Sequence, residues 1–262
     1  MNSQQQPAAA YRVDGHQVFP TDYARGPWFD EQQHGAAILG LLTRFLERVP
    51  SREPMRFTRV VADMSRPVPM EPCTVYARAL RDGRRVQSLE ATIESDGKVV
   101  ARATATRIRV DHDVLSEVEL PPIDTADLAP PLPATKISYS GDRTSFHDCL
   151  EIRSKGRPDD LHDETWFRLA LPLVAGEETT PVVRLAAVAD MILGSGWFLG
   201  EGWMSINPEV MLQVERHPVG EWICLRSVNR PTADGIGMSD GVLFDSTHRV
   251  GRSSKSVLNQ RR

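Results

Sequence analysis

Two segments of this chain are apolar on every side, and most of what could cover them reads as strand. The first spans about 34–49, within QQHGAAILGLLTRFLERVP. Ala36, Ala37, Ile38, Leu39, Leu41, Leu42, Phe45 and Leu46 cover nearly its whole circumference, and Pro50 stops it. The second spans 181–198, PVVRLAAVADMILGSGWF. Thr180 suits an N-cap, Pro181 suits the first helical position, and Gly194 and Gly196 end the run. A helix that is hydrophobic all round is normally buried. Yet Asp190 sits in the middle of the second one. A carboxylate there must be paired, hydrogen-bonded or protonated, because burying it bare costs several kcal/mol. That makes Asp190 a functional-site candidate.

The rest of the chain alternates at period 2, the mark of sheets with one wetted face. Strands are expected at 55–64, 73–81, 85–95 and 98–110, and again at 145–154, 165–174, 203–216, 221–230, around 236–238 and at 242–254. LNQRR then reads as a polar end. Asp82-Gly83 and Asp96-Gly97 are hairpin dipeptides. Residues 113–143 hold five prolines among acidic and small residues and read as a linker. Residues 1–15 read as a flexible polar tail.

The two halves share one plan: lead-in strand, apolar helix, long strand, further strands. Arg66 and Glu71 frame RPVPME, and Arg216 and Glu221 frame RHPVGE at the same spacing. Ser95-Asp96-Gly97 is expected to make the last hairpin of the first half, and Ser239-Asp240-Gly241 that of the second. An antiparallel sheet can bury an all-apolar helix only by curling around it, and the other half must cover the side that stays open. The expected fold is therefore α+β, a double hotdog. Its repeats span 16–112 and 144–262; two unrelated α+β domains are the rival.

Composition removes several classes. A net charge of −4 over 262 residues gives no electrostatic case for nucleic acid. No apolar run approaches the roughly 20 residues of a membrane-spanning helix. The first residues lack the basic and apolar regions of a signal peptide. Cys73, Cys149 and Cys224 are odd in number and far apart, which suits small core residues in a reducing, cytoplasmic setting. Neither a metal nor a cofactor is expected.

With these pieces in order, the chain resembles the acyl-CoA thioesterase II family of double-hotdog thioesterases over about 16–255. The likeness rests on QQHGAAILG, RFTRVVADMSRPVP and LRDGRRVQSLEATIESDGKVVARATAT in the first half. In the second it rests on Asp190, WMSINPEVMLQVERHPVGEW and SDGVLFDSTHRVGR. It implies hydrolysis of acyl-CoA or related acyl thioesters by an activated water, without a covalent intermediate. It also implies a triad of an Asp on the second helix, a Thr or Ser on the next strand and a Gln on the last strand. Carried over by position, these fall on Asp190, Ser205 and Arg249. Arg249 departs from the pattern, since Arg offers no acceptor.

Arg249, Arg168 or Arg184 could instead pair with Asp190. Asn207 falls on the same strand face as Ser205 and joins the expected substrate contacts. His34 and Gly35 open the first helix, whose free N–H groups could polarise a thioester carbonyl. Histidines 147, 162, 217 and 248 lack the spacing of a metal site or a Ser-His-Asp triad, and no G-x-S-x-G elbow is present. A double hotdog that binds an acyl-CoA or lipid-like ligand without turnover is the alternative, and a hotdog hydratase ranks last. Exposed sheet edges and the pairing habit of hotdogs predict a homo-oligomer, most simply a dimer.

Overall fold

The computed structural model describes residues 8–119, 130, 143–154, 162–192, 199–200 and 202–262. The first half contains β1 (Tyr11–Asp14), β2 (Gln17–Pro20), α1 (Gly35–Glu47), β3 (Met55–Asp63), β4 (Cys73–Asp82), β5 (Val86–Ser95) and β6 (Lys98–Arg109). The second contains β7 (Leu150–Ser154), β8 (His162–Leu169), α2 (Pro181–Ala189), β9 (Trp203–Ile206), β10 (Glu209–Val214), β11 (Trp222–Pro231), β12 (Ile236–Phe244) and β13 (Arg249–Arg261). The strands form one sheet in the order β1-β2-β4-β5-β6-β3-β10-β13-β12-β11-β8-β7, with β9 paired to β13. The halves meet where β3 and β10 run antiparallel, Arg59 opposite Gln213 and Asp63 opposite Glu209. This is a double hotdog, two antiparallel sheets joined edge to edge with a central helix apiece.

The two helices decide where the site falls. α1 begins at an extended His34 and α2 at Thr180, whose hydroxyl accepts from the Val183 N–H. The Thr180 hydroxyl also donates to Glu47 at the end of α1, at 2.7 Å. In mid-helix, Gly40 lets Leu173 and Ala187 close up: an added Cβ would stand 3.1 and 3.3 Å from them. At the far end, Gly35 of α1 borders Asp190 just past α2. The helices therefore run antiparallel, and the start of α1 meets the end of α2.

Several sequence expectations need correction. The tail is shorter than 1–15, because Tyr11–Asp14 is a strand. Tyr11 is fully buried, with its hydroxyl donating to Gln33 and its N–H to Leu173. Most of the expected linker (120–129 and 131–142) lies outside the described residues. Segment 203–216 is two strands, because Asn207 and Pro208 interrupt the ladder. Ser95-Asp96-Gly97 does turn, with φ of 50° at Asp96 and 71° at Gly97. Ser239-Asp240-Gly241 does not: it lies within β12, and the β11–β12 turn falls instead at Thr232–Gly235, where Gly235 has φ of 87°. LNQRR is no polar end either, since β13 continues to Arg261 by pairing with β9. The three cysteines are buried, and no disulfide joins them.

Candidate active site

Asp190 is not the middle of a helix. It is the C-cap of α2, with φ of −91° and ψ of −2°. Met191 N–H turns back to the Val188 carbonyl, tightening the last turn, and the Asp190 carbonyl accepts from Lys255 Nζ at 2.8 Å. Residues 193–198, which held the expected helix end at Gly194 and Gly196, lie outside the described residues.

Asp190 is 3% exposed. Its Oδ1 accepts from Asn207 Nδ2 at 3.0 Å and from Lys255 Nζ at 3.1 Å. Its Oδ2 faces Gly35, and a Cβ at position 35 would overlap that oxygen. Burial pushes the Asp190 carboxyl above the usual aspartate range; the Lys255 charge and the two donated hydrogen bonds pull the other way without cancelling it.

His34 closes the other side. Its Nδ1 accepts from the Ala36 N–H at 3.0 Å, which makes Nε2 the protonated nitrogen of a neutral ring. Burial, helped by the Lys255 charge, lowers its pKa to about 3. The ring lies edge-on to His147, centroids 5.0 Å apart, and tilts against Phe146. The first N–H groups of α1 have no acceptor within the helix and carry its positive dipole end. A buried carboxylate, a lysine and a helix N-terminus thus converge on one point.

Ser205 and Arg249 have partners of their own. The Ser205 hydroxyl donates to Asn259 Oδ1 at 2.7 Å. Arg249 begins β13 and pairs with Glu215 at 2.8 Å, six residues before Lys255 on the same strand. The expected Asp190–Arg249 pair is an Asp190–Lys255 pair, at 3.1 Å. Arg168 pairs with Glu151 and Glu221 rather than with Asp190. The side chains that hold Asp190 are Asn207 and Lys255. Asn207 was anticipated as a neighbour, whereas Lys255 was missed. Its signal lay in the period-2 pattern of β13, which turns Ser253, Lys255, Val257 and Asn259 inward. Among the described residues no group of His, Cys, Asp or Glu is placed to hold a metal ion. No helix among them is long and apolar enough to cross a membrane.

Fold and cluster together define a double-hotdog protein with an acidic site between its two helices. The description "Acyl-CoA thioesterase N-terminal domain" matches residues 24–108, and "Acyl-CoA thioesterase C-terminal domain" matches 122–258. The chain belongs to that acyl-CoA thioesterase family. No curated protein matches the sequence. Among solved structures, a conserved protein with a hot dog fold from Alicyclobacillus acidocaldarius is similar at a TM-score of 0.75 and 14% identity, covering 97% of this chain and 96% of that one. The tesB protein of Mycobacterium avium subsp. paratuberculosis gives 0.68 and 15%, over 95% of each chain. The acyl-CoA thioesterase II TesB2 of Mycobacterium marinum gives 0.66 and 14%, over 96% of this chain and 94% of that one. At such identities these likenesses show the fold.

Proposed function

We propose that this protein hydrolyses acyl thioesters of the acyl-CoA type by direct attack of water, with Asp190 as general base. The observation that carries this reading is the buried Asp190 carboxylate facing Gly35 at the start of α1, in a chain whose two halves match thioesterase domain models. A carboxyl with a raised pKa is better matched to proton transfer than an ordinary surface aspartate. Lys255 and Asn207 hold Oδ1, which fixes the carboxylate and leaves Oδ2 turned toward α1.

In the proposed reaction, water oxygen adds to the thioester carbonyl carbon and its proton passes to Asp190. The oxyanion that forms is held by N–H groups at the start of α1 other than that of Ala36, which donates to His34. The carbon–sulfur bond then breaks, and the leaving sulfur takes the proton back from Asp190. A free acid and a thiol remain, and no acyl-enzyme forms. His34 is neutral and serves as cap and wall rather than as a second base. The acyl chain lies between the helices and the sheet, and two copies pair as a dimer through exposed sheet surface.

Binding without turnover is favoured by one observation. Lys255 sets a full positive charge against Asp190, and a cation makes the carboxylate a weaker base. Free-thiol release from acyl-CoAs of graded chain length, for wild type and Asp190→Asn, decides between them. Release that disappears in the variant supports hydrolysis, and background release from both throughout the series overturns it.

A further inference from the structure

Both side chains that grip Asp190 come from one break in the second half-sheet. Along β13, β10 pairs as far as Ser254 and β9 pairs from Leu258 onward. Residues 255–257 lie between the two pairings, and Lys255 is among them. The break opposite is Asn207-Pro208, where β9 has ended and β10 has not begun. Proline has no N–H to give a ladder. The carbonyls at the break are turned elsewhere. That of Pro208 accepts from the Met64 N–H just past β3, at 2.7 Å. That of Glu209 accepts from Asn207 Nδ2 at 3.3 Å.

Glu209 bridges the gap with its side chain. Its Oε1 accepts from the Ser256 N–H at 2.8 Å, next to Lys255 in the chain. Its carbonyl takes one hydrogen of the Asn207 amide, whose other hydrogen goes to Asp190 Oδ1 at 3.0 Å. One residue is therefore bonded both to the strand that carries Lys255 and to the side chain of Asn207. A glutamate is an unfavourable choice if the edge of β13 only needs closing. Its Oε2 is buried and has no hydrogen-bond partner among the described residues, and buried polar atoms left unpaired are uncommon. Asp63 stands opposite Glu209 where the half-sheets join, and like charges directly opposite repel.

We propose that Glu209 is a positioning residue for the Asp190 base: by holding the Ser256 N–H with its carboxylate and the Asn207 amide with its carbonyl, it sets both side chains that grip the acid. This rests on the hydrolytic reading for the role of Asp190. Lys255 meets the Asp190 carbonyl and Oδ1 together, at 2.8 and 3.1 Å, only while β13 keeps its line past the gap. Lys255 from β13 and His34 from the start of α1 are the ionisable side chains around Asp190, and His34 is neutral. Asn207 and Gly35, which also face it, carry no charge. A Lys255 that drifts from the acid gives up the pull that holds its pKa down, so the Asp190 pKa rises.

The test separates reach from charge. Glu209→Gln keeps an acceptor at full length and loses the charge. Glu209→Asp keeps the charge and loses one methylene, and Glu209→Ala loses both. The Asp190 carboxyl is titrated by carbon-13 NMR in each protein, its signal identified by its absence in Asp190→Asn, and thiol release from acyl-CoAs of graded chain length is followed across pH. In Glu209→Ala and Glu209→Asp the Asp190 pKa should rise by about half a unit or more. Their kcat should fall about tenfold or more while KM stays within about threefold. Glu209→Gln should keep both quantities near wild type. A lowered Tm with an unmoved Asp190 titration would make Glu209 merely structural and overturns the proposal. A shift in Glu209→Gln without one in Glu209→Asp also overturns it, because charge rather than reach would then be at work. These two variants decide the matter even if Glu209→Ala does not fold. Titrations that move as expected without thiol release from any thioester by wild type would sink the hydrolytic reading alone, whereas thiol release with an unmoved Asp190 would sink the positioning role alone.

Discussion

Lys255 Nζ lies 2.8 Å from the backbone carbonyl oxygen of Asp190 and 3.1 Å from its Oδ1, across 65 positions of sequence. One ammonium thus caps the end of the helix and counters the charge of the acid. Removing it strands a buried carboxylate, a loss of about 3–5 kcal/mol. Lys255→Met should lower the urea unfolding free energy by that order at neutral pH. The deficit should shrink at acid pH, where Asp190 is protonated and needs no cation, and Lys255→Gln should recover part of it. A loss below about 1 kcal/mol at every pH would mean the pair is no stronger than a surface ion pair.

Asp190 should leave its mark on pH profiles. Its folded pKa is raised above the unfolded value of about 3.9. Its preference for the proton therefore stabilises the fold below that value, and this contribution is lost as pH rises through the folded pKa. Activity should move the opposite way, with kcat/KM rising through the same pKa as the base ionises. Asp190→Asn should abolish the limb together with about 10²–10⁴-fold of the rate. His34, with a pKa of about 3, contributes no limb in the ordinary histidine range. An acid limb at or below the ordinary aspartate value would contradict the assignment.

Gly35 is a steric requirement of the site. A methyl group there meets Asp190 Oδ2, so Gly35→Ala must push the carboxylate aside or open the helix pair. Overpacking of this kind costs about 1–3 kcal/mol. The larger effect should fall on kcat, by about 10²-fold, because a small misplacement of a base is expensive in rate. Unchanged turnover in the variant would show that Oδ2 does not carry the chemistry.

Substitutions at the two positions suggested by family spacing should separate from those in the cluster. Ser205→Ala and Arg249→Gln should keep activity within about threefold, whereas Asn207→Ala should lose tenfold or more through the freed carboxylate. Steady-state kinetics on the four proteins is sufficient. A gain in rate from Arg249→Gln would restore that position to the reaction.

Asp245 should contribute to acid sensitivity away from the site. Burial works against its charge, but N–H groups of Val219, Thr247 and His248 and the Thr247 hydroxyl outweigh it and hold the carboxyl at about 2. Arg216 also pairs with it at 2.8 Å. Its pKa is depressed, so its stabilisation is present above the unfolded value and is lost as pH falls from about 4 to about 2. Asp245→Asn should flatten unfolding free energy over that interval. An unchanged acid transition would assign the sensitivity elsewhere.

Much of the architecture was written in local patterns. Apolar residues around every side of 34–49 and 181–198 dictated buried helices, and alternation at period 2 dictated the strands that wrap them. Asp190 stood out because a charge on such a helix has no cheap solution. Local pattern could not show how far each element runs when its end is set by a distant partner. Lys255 caps the Asp190 carbonyl at the end of α2, β9 carries β13 on to Arg261, and pairing with β11 and β13 keeps Ser239-Asp240-Gly241 in a strand.

The choice of partners at the site was likewise tertiary. The family resemblance pointed to Ser205 and Arg249, but antiparallel packing of α1 on α2 brings Asp190 to Gly35, and the register of β13 presents Lys255 to the acid while Arg249 pairs with Glu215. The sequence by itself determined which residues had to be buried and which of them was chemically out of place. The three-dimensional fold decided what that residue meets, because a buried charge is satisfied by whichever group the folded sheet brings within hydrogen-bonding distance.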